Sequence, residues 1–308
     1  MLRAIVLGAA AGGGFPQWNS NAPACRRARL GDGKAAARTQ ASLAVSANGQ
    51  DWFLLNASPD LRLQIEATAV LHPRDGLRSS PISGVVVTGG DVDAVAGLLH
   101  LRERHKFNVY APARVIEVIA ANPIFGVLAS DCVERLELLF EQRTELRGTM
   151  GASGLAVVAF PVPAKVPLHL ETAGEDPVVS EGGDVVGLEV IDTQEAKSFF
   201  FIPGCAAMTD RLRRRLAGNA LVFFDGTLWR DDEMILLGVG SKTGRRMGHM
   251  SMSGDDGTIA AFCDLDVKRR IFIHINNSNP VLLDDSPERR VAEAAGWEIA
   301  YDGMEVRL

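Results

Sequence analysis

Short runs of β-branched, leucine and aromatic residues recur along this 308-residue chain, and the spacing between them changes part-way, which narrows the folds open to it. The runs predict strands at Ala4–Leu7, Ser42–Val45, Trp52–Asn56, Val85–Thr88, Asn108–Tyr110, Leu155–Phe160, Val185–Val190, Phe199–Ile202, Ala220–Phe224, Ile271–His274 and Glu298–Ala300. Amphipathic stretches predict helices at Val95–Arg104, Arg114–Ala121, Asp210–Ala217, Gly257–Leu265 and Pro287–Ala295. The early strands follow at hairpin distance, with Asn48-Gly49 as a turn signal, whereas later strands alternate with helices as crossover units. A chain that mixes both habits twice predicts an α/β protein with two mixed sheets packed face to face and helices outside. No low-complexity linker, short-period repeat or charge block divides it, so a single domain over 1–308 is expected. Glu171–Gly183, rich in Gly, Glu and Asp, reads as a surface loop.

Composition removes several classes of function. A hydrophobic share of 47% with 23% charged residues is that of an ordinary globular protein. The formal net charge of −6 argues against a nucleic-acid binder, which normally presents a basic face. No apolar run reaches the roughly 18 residues a membrane span needs. The apolar start Met1–Ala11 is short for a signal peptide and runs straight into Gly12-Gly13-Gly14. Cys25, Cys132, Cys205 and Cys263 are too scattered for a disulfide framework and suit reduced thiols in the cytoplasm. The expected partner is a small molecule rather than a nucleic acid or a membrane, and assembly is left open, a homodimer included.

The chemistry concentrates at predicted strand ends. Val85-Val-Val-Thr-Gly-Gly-Asp-Val-Asp93 closes an apolar strand with two alternating carboxylates, at the edge where layered α/β proteins place ligands. Two readings fit: Asp93 caps the following helix, or Asp91 and Asp93 hold a divalent ion as hard oxygen ligands. Ile271-Phe-Ile-His274 ends a strand in a histidine, followed by the polar turn Ile275-Asn-Asn-Ser-Asn-Pro280; a core histidine and a site histidine both fit. Ala220–Asp225 ends in an acid, Phe200–Cys205 ends in a thiol, and Met247-Gly-His249 sets a second histidine in a Gly-flanked loop. These groups meet only if their strands share one edge, and that convergence is the central expectation.

Order and wording together resemble the metallo-β-lactamase fold and, within it, the protein B family of coenzyme PQQ (pyrroloquinoline quinone) biosynthesis. The resemblance rests on Gly12-Gly-Gly-Phe-Pro-Gln-Trp-Asn19, Leu55-Asn-Ala-Ser-Pro-Asp60, Gly90-Asp-Val-Asp93, Pro161-Val-Pro-Ala-Lys-Val-Pro167, Ile202-Pro-Gly-Cys205, Phe224-Asp-Gly-Thr227, Met247-Gly-His249 and His274-Ile-Asn-Asn-Ser-Asn-Pro280, from end to end of the chain. It implies an αββα sandwich with the site at the sheet edges. The superfamily motif His-x-His-x-Asp-His falls on Gly89, Asp91, Asp93 and Ala94, with a later histidine near Ala164, the bridging acid or thiol on Cys205 and the final histidine on His274. The implied metal ligands are therefore Asp91, Asp93, Cys205 and His274. His249 becomes a fourth ligand or acid/base, and Asp225 holds a ligand or a substrate amine from behind.

This chain departs from the family at two places. Ala94 stands where the family usually has a histidine, which implies weaker metal binding. Ser20, Ala22 and Cys25 stand where relatives carry three cysteines, and one thiol cannot hold a structural zinc, so none is expected. Two functions follow from the resemblance. One is iron-dependent hydroxylation of the tyrosine ring of a Glu-Tyr-derived precursor, for which two imidazoles and a carboxylate with open positions suit iron. Lys165, Arg245 and Arg246 are then candidates for the substrate carboxylates, against the alternative of a solvated surface. The other is a carrier that holds PQQ, a planar tri-acid, or a precursor on its way to the periplasm, with Trp18 as a stacking ring. Lack of the superfamily's first two histidines argues against a dinuclear zinc hydrolase.

Overall fold

The computed structural model, which describes residues 1–149, 151–171 and 181–308, resolves the alternating runs into two seven-stranded sheets. The first contains β1 (Arg3–Gly8), β2 (Ser42–Ser46), β3 (Trp52–Leu55), β4 (Ile82–Val86), β5 (Phe107–Ala111) and β6 (Val133–Glu137). The second contains β7 (Arg143–Gly148), β8 (Gly151–Pro161), β9 (Val186–Asp192), β10 (Ser198–Ile202), β11 (Leu221–Asp225), β12 (Arg269–Ile273) and β13 (Trp297–Ile299). A last strand, β14 (Glu305–Arg307), crosses back to pair with β1. Strand order is β14-β1-β2-β3-β4-β5-β6 in one sheet and β13-β12-β11-β10-β9-β8-β7 in the other. In each, an antiparallel half adjoins a parallel half: β3 to β6 run parallel, as do β10 to β13.

Three apolar clusters fill the spaces between four layers. Val6, Leu43, Phe53, Leu55 and Val86 meet Leu155, Leu188, Phe201, Phe223 and Ile271 between the sheets. Outside the first sheet, Leu54, Val85 and Val109 pack on Leu61, Val95, Leu98 and Val115 of helical segments. Outside the second, Phe200, Phe224 and Phe272 pack on Leu212, Leu216, Phe262 and Ala292. This is the expected αββα sandwich. It explains why Trp52-Phe-Leu-Leu55 is buried at every position, since a strand covered on both faces has no polar side to show.

The strands missed by the sequence reading are β6, β7 and β14. The first two lie at the free edges of their sheets and β14 edges the first, and all three alternate charged exposed residues with buried ones. Charged edge strands resist pairing with other chains, and the same charges hide them from an apolar-run reading. The helices Pro23–Arg29 and Leu61–Ala67 were also missed. The predicted helix Val95–Arg104 is instead an α-turn at Val92–Val95 followed by a 3₁₀ segment at Ala96–Leu101. Its cause is Gly97, whose N–H donates to the Ala57 carbonyl at 2.8 Å rather than back along the helix. A Cβ there would stand 2.2 Å from the Ser58 carbonyl oxygen, so only glycine allows this approach. Gly257–Leu265 shortens to Thr258–Ala261. Of the loop predicted at Glu171–Gly183, 172–180 lie outside the described residues.

Candidate metal centre and its cavity

The parallel strands β4, β11 and β12 all end at one rim of the sandwich, and each releases a polar residue there. Asp225 is the last residue of β11, His274 follows β12 directly, and β4 leads through Thr88 to Asp91. His274 takes a left-handed conformation, φ 59°, which turns its ring off the strand direction, and Asn56 does the same after β3 with φ 63°. Side chains other than glycine held in this region cost of order 1 kcal/mol or more and cluster at functional sites.

Asp225 is fully buried and completely engaged. Its Oδ2 accepts the Cys205 N–H at 2.9 Å and faces His249 Nδ1 at 2.6 Å; its Oδ1 accepts the Thr227 N–H at 3.0 Å and the Thr227 hydroxyl at 2.7 Å. Burial pushes this carboxyl up, but His249, His274 and Thr227 more than reverse that and hold it below the usual range. His274 Nε2 lies 2.8 Å from Asp93 Oδ2, and its Nδ1 lies 2.9 Å from the Thr227 hydroxyl. The two imidazoles stack with centroids 5.3 Å apart at 21°.

Asp91 occupies the N-cap position of the short helix but makes no capping bond through its side chain; its Oδ1 accepts the Leu168 N–H at 2.9 Å. The capping reading of Asp93 therefore gives way: Asp93 lies inside the first turn and turns to His274. Burial and the charge of Asp93 push the Asp91 carboxyl up.

The donor set fits a divalent cation. One ligand atom from each of Asp225, His249 and His274 lies within 4.8 Å of the others, the one such group among the described residues, and Asp93 and Asp91 stand beside it. The charge of Asp93 against Asp91 is relieved by a cation, and mixed imidazole and carboxylate donors suit zinc or iron. The contact of His249 Nδ1 with Asp225 is the kind of carboxylate contact that fixes a metal-binding ring. Asp91, Asp93, His249 and His274 line a cavity of about 860 Å³, with Asp225 buried behind it, and the wall also includes Gln17, Lys165, Lys242, Met234 and Asn276.

Four expected residues are not at this centre. Cys205 is fully buried in the apolar cluster outside the second sheet, with its thiol donating to the Ala207 carbonyl at 3.2 Å; burial and Asp225 push that thiol far up, so it stays protonated. Its neighbours Pro203 and Gly204 form the cavity wall, and Cys205 serves through its N–H on Asp225. Trp18 is 85% exposed and outside the wall, while Gln17 lines it. Arg245 pairs with Asp256 beside a separate cavity of about 770 Å³, and Arg246 borders neither cavity. Lys165 does line the main cavity. Sequence reasoning overlooked Thr227, Lys242 and Glu171; Asp-x-Thr at a strand end was the available signal for the first.

The loop that holds Ser20, Ala22 and Cys25 is braced by hydrogen bonds and ion pairs. Arg29 donates to the carbonyls of Ser20, at 2.5 Å, and Gln17; the Cys25 thiol points to Asn277 Oδ1 at 3.5 Å; and Arg27 pairs with Asp32 and Asp285.

Two facing mixed sheets with acids and imidazoles at their common rim define the beta-lactamase superfamily, and the family model described as beta-lactamase superfamily domain matches residues 51–275. Proteins named coenzyme PQQ synthesis protein B from Gluconacetobacter diazotrophicus and Bradyrhizobium diazoefficiens are 58% and 52% identical, over 99% and 100% of both chains respectively. The chain belongs to that family. A crystal structure of zinc-bound PqqB from Methylobacterium extorquens superposes with a TM-score of 0.93 at 47% identity, covering 99% of this chain and 100% of that one. No helix among the described residues is long and apolar enough to cross a membrane.

Proposed function

We propose that this chain acts in PQQ synthesis by hydroxylating the tyrosine ring of a small Glu-Tyr-derived precursor at a metal centre formed by Asp91, Asp93 and His274, with His249 as a fourth ligand or acid/base. The supporting observation is the convergence of these side chains, from both sheets, on one cavity of about 860 Å³. A bound iron would supply dioxygen activation, for which two imidazoles and carboxylates are a suitable donor set. The chain's own groups have separable tasks. Asp225 fixes the His249 ring, the Thr227 hydroxyl fixes His274, and the second ring nitrogen of His249 is left to ligate or to move a proton. The reaction inserts one oxygen atom into a ring C–H bond and reduces the other to water with two protons and two electrons from an external reductant. Four free cysteines accord with a reducing, cytoplasmic setting.

The test is anaerobic loading of the metal-free protein with Fe(II) or Zn(II), followed by ascorbate, ¹⁸O₂ and the tyrosine-containing precursor. Iron-dependent gain of one labelled oxygen, lost in Asp93→Asn, supports the reading; an unlabelled or iron-independent product sinks it. A carrier role for PQQ or a precursor is favoured by one observation: Ala94 presents a methyl group to the cavity where the resemblance places a ligand. Tight PQQ binding by metal-free protein with no turnover under any metal would select it.

A further inference from the structure

Away from the metal centre, three charged side chains meet at the cavity wall. Glu171 takes the Lys165 ammonium on Oε1 at 2.5 Å and the Lys242 ammonium on Oε2 at 3.0 Å. All three are largely shielded, with side-chain exposures of 12% for Lys165, 16% for Glu171 and 33% for Lys242. Both lysines line the cavity; Glu171 does not. Among the described residues of this cluster, two ammonium groups face one carboxylate, which leaves one positive charge in excess at the cavity wall. A partly desolvated charge of this kind attracts an anion far more strongly than one in open water.

Lys165 is also fixed relative to the metal centre. Its stem lies on the backbone of Gly248, the residue before His249: a Cβ on Gly248 would stand 3.0 Å from Lys165 Cγ and 3.3 Å from its backbone nitrogen. Gly248 is left-handed, φ 84°, so a side chain there would be strained as well as crowded. Lys165 therefore shares the cavity wall with Asp91 and His249 and is held there through Gly248.

We propose that Lys165 and Lys242 form a carboxylate-recognition subsite of this cavity, with Glu171 as its resident counter-ion, so that a bound polycarboxylate completes a ring of two positive and two negative charges. The proposal deepens the functional reading above and rests on it for the identity of the ligand. It assigns the acid end of the ligand to the lysines and leaves the opposite end towards His249 and His274. Charge-assisted contacts of this type contribute about 1.5–3 kcal/mol each, or roughly tenfold and more in affinity.

The probes are PQQ and its uncharged trimethyl ester, titrated calorimetrically into metal-free full-length protein. Wild type should prefer PQQ to the ester, and rising salt should weaken PQQ binding alone, a readout that needs no variant. Lys165→Met and Lys242→Met should each weaken PQQ binding about tenfold and leave the ester unchanged, while Glu171→Gln should tighten PQQ binding about threefold. A merely structural brace predicts that all three variants lose affinity together, so the opposite signs are decisive; melting curves confirm that each variant folds. Lysine variants that bind PQQ like wild type, or a Glu171→Gln protein as weak as they are, overturn the subsite alone. Wild type that binds neither probe overturns the subsite and the carrier reading for PQQ, while hydroxylation of the precursor stands or falls on its own labelled-oxygen test.

Discussion

His274 Nε2 and Asp93 Oδ2 lie 2.8 Å apart although the residues are 181 positions apart in the chain. One follows β12 of the second sheet and the other follows β4 of the first, so this contact bridges the sandwich at its rim. Burial pushes the His274 imidazole down, and Asp93 first, then Asp225 and Asp91, more than reverse it; burial pushes Asp93 up, and His274 more than reverses that. The directions agree, and both favour a charged pair in metal-free protein.

Metal binding should therefore release a proton. A metal ligand must be neutral imidazole, so the imidazolium of His274 has to deprotonate when Zn(II) or Fe(II) enters. Calorimetric titration at pH 6.5 in buffers of different ionisation enthalpy should show net proton release, and affinity should rise with pH. His274→Ala should remove both effects; zero release by wild type would show that His274 is not a ligand.

Asp225→Asn should disable the centre and destabilise the fold. Both carboxylate oxygens accept, Oδ2 facing the Cys205 N–H and His249 and Oδ1 the Thr227 N–H and hydroxyl, so an amide sets an NH2 donor against one of these pairs, and charged hydrogen bonds contribute about 1.5–3 kcal/mol each. A loss of about 2–4 kcal/mol in urea unfolding is expected, with metal affinity reduced at least about tenfold. An unchanged urea midpoint would contradict the assignment.

Glu233 gives the protein a pH-dependent stability term. Its carboxyl is buried, accepting the Ser278 hydroxyl at 2.6 Å and the Trp229 N–H at 2.7 Å, and burial pushes its pKa from 4.5 to about 7. Between these values the folded state keeps a proton that the unfolded chain has released, so stability falls as pH rises from about 4.5 to 7. The contribution is about 3 kcal/mol over the window. Glu233→Gln should flatten the unfolding free energy across it, and an undiminished slope would place the titration elsewhere.

Gly97→Ala should be costly although Gly97 borders neither cavity. A Cβ 2.2 Å from the Ser58 carbonyl oxygen and 2.7 Å from the Ala57 carbonyl carbon meets backbone that has no rotamer to change. A loss of about 1–3 kcal/mol is expected, together with weaker metal binding, because the Asp91–Asp93 turn must shift outward. A neutral variant would show that this contact does not position the turn.

Ala94→His should strengthen the centre. Ala94 is 7% exposed and borders the cavity one residue beyond Asp93, where the resemblance places a histidine. Metal affinity should rise about tenfold or more, at a cost of about 1–3 kcal/mol for overfilling a packed apolar cluster. Equilibrium dialysis with Zn(II) measures the first and urea unfolding the second.

The interior strands were legible because both faces of β3, β10, β11 and β12 are covered, which forces runs such as Trp52-Phe-Leu-Leu55 and Ser198-Phe-Phe-Phe-Ile202. Edge strands β6, β7 and β14 answer to solvent on one side and carry charges that mimic loops. The acids at strand ends could be found because an apolar run that stops at Asp225 leaves that side chain no apolar role. Cys205 shows the limit of that logic. It ends a similar run, yet the chain turns after Pro203-Gly204 and sends the thiol into the outer core, so its backbone meets the site instead. Trp18 and Gln17 differ by one position, and only the course of their loop decides which of them faces the cavity.

Residue order alone settled the layered α/β architecture and the supply of acids and imidazoles at strand ends, because periodicity and burial are local consequences of what each segment must hide from water. Which of those groups meet was decided by tertiary structure. Contacts such as Asp93 with His274, Thr227 with both rings and Glu171 with two lysines depend on strand register and loop direction, which are fixed by packing between sheets and carry no signature in any single segment.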